Sequence, residues 1–181
     1  MERTRGAIIQ AFAELLDEKP ISKITVKDIV GRCNLNRNTF YYHFEGIPAL
    51  VEQLMEGKAD ELIQNYFQPG EPIECLRPLI QYCLRHKNAV LHVYRYVPRE
   101  TFLAYTNRIA LGTVQNYFAN LTADDPASDE TVSALIQFYK CAIVGLMLDW
   151  LDGGMKEDML ALTQRLCALL HGSGRVALTR G

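Results

Sequence analysis

The chain has 181 residues, 22% charged and 49% hydrophobic, with 19 Lys+Arg against 21 Asp+Glu for a net charge of −2. These values are ordinary for a globular protein and exclude disorder over most of the length, because no long segment combines low hydrophobicity with high charge. The length predicts one domain, or two small ones sharing a core, and a chain that needs no disulfides or metal to fold.

No membrane span is expected. The longest purely apolar run, Cys141 to Leu148, is eight residues including Gly145, against the ~20 a spanning helix needs. Near the N-terminus Gln10 and Glu14 interrupt any signal-peptide core. Five cysteines (Cys33, Cys75, Cys83, Cys141, Cys167) are odd in number, irregularly spaced and without a CxxC. They predict buried thiols in a reducing cytoplasm.

Charge is uneven along the chain. Residues 1–44 carry 7 basic and 5 acidic side chains, net +2, and residues 45–181 carry 12 and 16, net −4. Between Lys19 and Phe44 the basic residues Lys19, Lys23, Lys27, Arg32 and Arg37 face Asp28 alone, net +4. A basic block on an acidic remainder suits a nucleic-acid-binding module, although a solvated basic face has the same composition.

The elements, in chain order, are helical. Ile8, Ile9, Phe12, Leu15 and Leu16 recur at helical spacing, in a helix ending near Pro20. Thr25-Val26-Lys27-Asp28 has the pattern of a capping box opening a short helix to about Cys33. Asn34 tolerates a left-handed turn, and Asn36 suits the cap of a second short helix, Arg37 to His43. Pro48 fits the first turn of a longer helix running toward Tyr66. A linker, Gln68-Pro69-Gly70-Glu71-Pro72, follows, and then helices at about 73–87, 88–96, 99–120, 126–152 and 156–171. Pro78 either kinks the first of these or marks its true start. Asp124-Asp125-Pro126 and Asp152-Gly153-Gly154 are stop-and-start signals. The expected fold is all-α, with no internal repeat.

Two short helices joined by a tight turn form a helix-turn-helix, whose second helix enters the DNA major groove. Arg37 can fork onto guanine and Asn38 can pair with adenine. Thr39, Tyr41, Tyr42 and His43 offer hydroxyl and imidazole groups, and Thr25 and Lys27 stand at a helix N-terminus that favours phosphate. Phe40 and Phe44, four apart, should face inward against Ile29, Leu35 and the first helix. The competing reading is a small helical module that packs Tyr41, Tyr42 and His43 into a protein interface.

Thr25-Val26-x-x-Ile29-Val30 followed by Cys33-Asn34-Leu35-Asn36-Arg37-Asn38-Thr39-Phe40-Tyr41-Tyr42-His43-Phe44 resembles the N-terminal signature of the TetR family of transcriptional regulators, over roughly residues 3–55. The resemblance implies an all-helical dimer with two N-terminal DNA-reading heads, and C-terminal helices that supply a ligand pocket and the dimer interface. The family's DNA contacts would fall on Thr25, Lys27, Arg37, Asn38, Thr39, Tyr41, Tyr42 and His43. Asn34 stands where family members commonly have Gly, and Asn36 where they commonly have Ser. Ile47 takes the place of a Lys that many members use to hold a phosphate, which predicts weaker and less salt-sensitive binding.

In the C-terminal half, Phe138 to Asp149 is apolar on most sides, so that helix needs cover on more than one face. With the helix after it, it could complete a four-helix bundle across a two-fold axis. The expected dimer face is Phe138, Ala142, Gly145, Leu148, Met159, Leu162 and Leu166; the alternative is that these residues are intramolecular core. The Phe-x6-Gly-x4-Trp-Leu-x-Gly-Gly spacing is similar to that of a TetR subgroup that includes dihydroxyacetone-kinase operon regulators. Tyr82, Cys83, His86, His92, Tyr96, Phe102 and Tyr105, with Tyr94, form an aromatic wall with polar tips, as small-ligand cavities have. Cys83 and His86, three apart on one helical face with His92 nearby, could make a thiolate–imidazole metal site, but the pair has no carboxylate or further Cys beside it, so no metal and no cofactor is assigned.

No nucleotide-binding, nucleophile-elbow or zinc-protease motif is present in the sequence, so no catalytic residue is assigned and an enzyme is not expected. Expected boundaries are 1–47 for the helix-turn-helix domain, 48–67 for a connecting helix, 68–172 for a regulatory and dimerisation domain, and 173–181 for a flexible tail. The expected activity is that of a cytoplasmic, ligand-responsive repressor bound as a homodimer to a palindromic operator in double-stranded DNA. The two reading helices would stand about 34 Å apart. A protein partner in place of a small-molecule effector is the alternative.

Overall fold

Nine α-helices and one short 3-10 turn, with no strand, make up the described residues of the computed structural model, which are 2–65, 76–121 and 129–170. The expected linker at 68–72, Cys75, the 124–126 signal and the tail at 173–181 lie outside them. The helices are α1 (Glu2–Glu18), α2 (Val26–Arg32), α3 (Arg37–His43), α4 (Ile47–Asn65), α5 (Leu76–Arg85), α6 (Lys87–Tyr96), α7 (Arg99–Leu121), α8 (Asp129–Asp152) and α9 (Met159–Leu170). Pro78 lies in the first turn of α5, where its missing N–H costs no helical bond. The 3-10 turn Ile21–Lys23 has no periodic signature in sequence; it lets Ile21 and Ile24 reach the core between α1 and α2.

The chain forms two compact units that do not follow chain order. The first comprises residues 1–58 and 86–102, and the second residues 59–85 and 103–181. The first thus contains α6, a segment expected to belong to the regulatory half. Its core is built on Ile8, Phe12, Leu16, Ile29, Phe40 and Leu50, all fully buried, with Val93 and Val97 from α6 and its following turn against them.

In the second unit, Ile80, Val114, Phe118, Ile143 and Trp150 are buried. Close packing of α7 on the end of α4 explains Gly112, since a Cβ there would lie 3.0 Å from the Ile63 side chain. An Arg108–Asp60 ion pair and a hydrogen bond from Asn116 to the Ile63 carbonyl (3.1 Å) join the same two helices. α8 ends in a turn with Gly154 at φ 72° and Met155 at φ 55°. The Met155 amide donates to the Trp150 carbonyl (2.8 Å), closing the orphaned last turn. This turn delays α9 to Met159, three residues later than the apolar pattern suggests. Asp158 then caps α9 by accepting from the Ala161 amide (3.0 Å), and the Trp150 indole donates to the Glu157 carbonyl (3.0 Å).

Along α8, Tyr139, Ile143, Val144, Met147, Trp150 and Leu151 form the buried stripe. By length and composition alone the helix could cross a membrane, yet only 22% of its most apolar window is buried in this chain. The stripe fixes it into the unit's own core, so what it lacks is cover on the opposite face.

Candidate nucleic-acid interface

Local chemistry positions α2 and α3 before any tertiary contact is considered. At the start of α2, the Thr25 hydroxyl oxygen accepts from the Asp28 amide (3.2 Å), and the Asp28 carboxylate accepts from the Thr25 amide (2.9 Å), which is the expected capping box. The same carboxylate oxygen accepts from the Thr25 hydroxyl (2.8 Å) and the Lys19 ammonium (3.0 Å). Chiefly the Thr25 backbone hydrogen bond, and then Lys19, pull the Asp28 carboxyl down to about 2.

Asn34 adopts φ 53°, the left-handed conformation expected of it, and the Leu35 amide donates back to the Val30 carbonyl (2.8 Å). That bond reverses the chain and aims α3 away from α2. Asn36 caps α3 as expected, its carbonyl oxygen accepting from the Thr39 amide (2.8 Å) and the Thr39 hydroxyl (3.1 Å). Phe40 and Phe44 turn inward, ring centroids 5.8 Å apart, among Ile29, Leu35 and α1. A seven-residue helix is too short to persist alone in water. The cap and these two rings hold it.

Arg37 and Asn38 are exposed at the first turn of α3. Tyr41 is 57% and Tyr42 73% exposed. His43 is half-buried, its ring edge-on to Tyr42 at 5.0 Å. Lys27 is exposed on α2. Two expected phosphate donors are otherwise engaged. The Thr25 and Thr39 hydroxyl protons point to Asp28 and Asn36, so both threonines build the helix starts. Sequence shows a threonine in each place but not where its proton goes.

The +4 block is also reduced. Arg32 makes a two-pronged contact with Glu18 of α1 (2.6 and 2.9 Å) and lies 3.7 Å from Glu14. That hydrogen bonding holds the Glu18 carboxyl below its ordinary range. Lys19 is paired with Asp28, as above. These two cations pin α2 against α1; Lys23, Lys27 and Arg37 have no carboxylate partner among the described residues.

The residues expected to line a pocket divide between the units. Tyr82 and Cys83 on α5 and Tyr105 on α7 belong to the second. Burial pushes the Cys83 thiol up to about 12, so it is no thiolate ligand. His86, His92, Tyr96 and Phe102 belong to the first, where Tyr96 is exposed and Phe102 packs on Tyr94 with ring centroids 4.8 Å apart. His92 Nδ1 donates to the Leu16 carbonyl (2.7 Å), Asn88 to the Asp17 carbonyl (3.2 Å), and His86 Nδ1 to the Asp17 carboxylate (3.2 Å). His92 and Asn88 thereby satisfy two open carbonyls at the end of α1, while His86 engages a side chain there. An apolar recess within the second unit is lined by Leu62, Leu76, Leu79, Ile109, Ala110, Thr113 and Ile143, none of them in the expected set. Its volume is about 10 Å³, room for one water molecule.

Of the expected dimer face, Phe138 is 59% exposed, Gly145 is exposed, and Ala142, Leu148, Leu162 and Leu166 are half-buried. Met159 is a correction: it is 2% exposed and belongs to the unit's own core, in one stripe with Thr163 and Cys167. Leu169, further along the same helix, is 80% exposed. Cys141, expected buried, is exposed on α8, because the buried stripe runs through Tyr139, Ile143 and Val144.

A capped pair of short helices joined by a left-handed turn, with polar and aromatic side chains displayed on the second, defines a helix-turn-helix DNA-binding protein. Comparison with known proteins carries this further. Residues 8–54 match the family described as bacterial regulatory proteins, tetR family, and residues 70–172 match a transcriptional regulator C-terminal region of the same family. The chain belongs to the TetR family of transcriptional regulators, and its N-terminal helix-turn-helix binds DNA.

Among its relatives is an uncharacterized HTH-type transcriptional regulator of Bacillus subtilis (strain 168), YxbF, 24% identical over 172 residues, 93% of this chain. The chain spans 44% of that relative's length. The fold is similar to that of the dihydroxyacetone kinase operon activator DhaS, with a TM-score of 0.77 at 18% identity, covering 96% of this chain and 97% of that one.

Proposed function

We propose that the protein is a homodimer that seats two α3 helices in successive major grooves of a palindromic operator. The observation that carries this reading is the division of faces on α3. Phe40 and Phe44 anchor it in the core, while Arg37, Asn38, Tyr41 and Tyr42 stand in solvent. On this reading Arg37 and Asn38 address base edges, and Lys27, Tyr41, Tyr42 and His43 address the backbone. The second copy covers the α8 face that displays Phe138 and Gly145, together with the α9 edge carrying Leu162, Leu166 and Leu169.

Control passes through α6. It folds with the head and holds the end of α1 through His92 and Asn88, so a displacement of α6 reorients the reading helix. The signal is a small molecule seated among the helices of the second unit, which must part to admit it, or a protein partner. Either releases the operator by its differential affinity for two head arrangements. The protein acts by binding rather than catalysis, in the cytoplasm where the operator lies, and represses by default. Genomic DNA selection with the purified protein, followed by titration of the best fragment at two salt concentrations, tests the core of this reading. Enrichment of a palindrome bound at nanomolar levels, with affinity falling as salt rises, is expected; no enrichment over random fragments overturns it.

A further inference from the structure

The cations of the head fall into two groups. Lys19 and Arg32 are neutralised by Asp28 and Glu18 on the side that joins α2 to α1. Arg5 of α1 belongs to the other group but differs from Lys23, Lys27 and Arg37 in being held in place. Its guanidinium carbon lies 5.7 Å from the centroid of the Phe44 ring, and its Nη2 donates to the Gln53 side-chain carbonyl of α4. Gln53 is itself fixed by donating to Glu56 (3.1 Å). Phe44 caps the C-terminal end of α3, and α4 begins three residues later at Ile47. An exposed arginine is therefore planted at the junction between the reading helix and the helix after it.

The ring and the amide orient this group without cancelling its charge. A phenyl face attracts a guanidinium through its quadrupole, and a neutral amide accepts one of five N–H donors. No carboxylate pairs with it among the described residues. A planar cation held in one orientation, with its remaining donors in solvent, suits bidentate capture of an anion. The anion available beside a helix seated in the major groove is the phosphate of the flanking strand.

We propose that Arg5 is a DNA-phosphate contact, pre-oriented by Phe44 and Gln53, that clamps the backbone beside the C-terminal end of α3. It rests on the reading of α3 as the groove helix. It adds a backbone anchor at the same junction where Ile47 offers none, so the salt sensitivity lost at position 47 is regained from α1.

The test titrates the selected operator fragment with the full chain and with Arg5→Met and Arg5→Lys over a range of salt concentrations. Methionine keeps an apolar stem over the Phe44 ring and removes the charge; lysine keeps the charge and loses the fork. Arg5→Met is expected to bind about tenfold more weakly at low salt, with the slope of log affinity against log salt reduced by about one unit per head and base preference unchanged. Arg5→Lys should keep the wild-type slope. If Arg5→Met keeps the wild-type slope, or both variants lose affinity with slopes that stay equal, Arg5 only packs and the proposal fails. Wild-type protein that binds no DNA would overturn the reading of α3 itself, and this contact with it.

Discussion

Replacing Phe138 with aspartate tests whether the open face of α8 is covered by a second copy. Phe138 is 59% exposed, and in its own chain its ring stands edge-on to Tyr139 at 5.2 Å. A phenylalanine can bury about 200 Å², so about 120 Å² of this ring awaits cover. At about 25 cal/mol per Å² that area is worth about 3 kcal/mol per copy. Two-fold symmetry presents the residue twice, so full cover contributes about 6 kcal/mol per dimer, about four powers of ten in the dissociation constant. A buried carboxylate in its place adds a desolvation cost. Sedimentation velocity across a concentration series should show Phe138→Asp as monomer where the parent is dimer. Its thermal unfolding as a monomer should change little, because the ring contributes little to its own core. Operator affinity should fall with dimerisation, since one head alone holds one half-site. An unchanged sedimentation profile would refute the argument and return Phe138 to the class of merely exposed residues.

Gly145 separates helix propensity from contact. A Cβ at this position meets nothing within 4 Å in the chain, so Gly145→Ala should stabilise the monomer by up to about 1 kcal/mol, whereas Gly145→Leu should overpack the interface and weaken dimerisation. Equal dimer constants for both, by sedimentation, would take Gly145 out of the interface. Arg37→Ala should cost about 1–3 kcal/mol of operator binding and relax preference at one base pair per half-site; a loss uniform across sequences in a binding-site selection would make Arg37 a phosphate contact instead. The Asp28 carboxyl, held at about 2 against an ordinary 3.8, stabilises the fold above the ordinary value, and that contribution is lost as pH falls toward the lowered one. Urea midpoints of the parent and Asp28→Asn should therefore differ most at neutral pH and converge between about pH 4 and pH 2, and a gap constant over that window would dissociate Asp28 from the cap.

The head was legible because its instructions are local. A capping box spans four residues, a left-handed turn one, and the Phe40/Phe44 stripe a single helical turn, so each can be read before the chain folds. What lay outside that range was set by atoms brought together from far apart. The hydroxyls of Thr25 and Thr39 look like phosphate donors in a string of letters, yet their protons are committed to Asp28 and Asn36. Arg32 counts as a free cation until Glu18, fourteen residues earlier, is placed against it. His86 and His92 sit in an aromatic-rich stretch whose composition suits a cavity wall. Their partners are instead the last turn of α1, 69 and 76 residues away.

A helix C-terminus exposes carbonyls that must find donors. In α1 those donors come from α6, which lies inside the segment matching the family's C-terminal region. The end of the head's first helix is therefore completed by side chains from the segment that matches the C-terminal family region. Any event that moves α6 must break or carry along the His92 and Asn88 bonds, and α1 holds α2 through Glu18 and Arg32. On the proposed reading, in which a signal displaces α6, these hydrogen bonds are what joins that helix to the reading head.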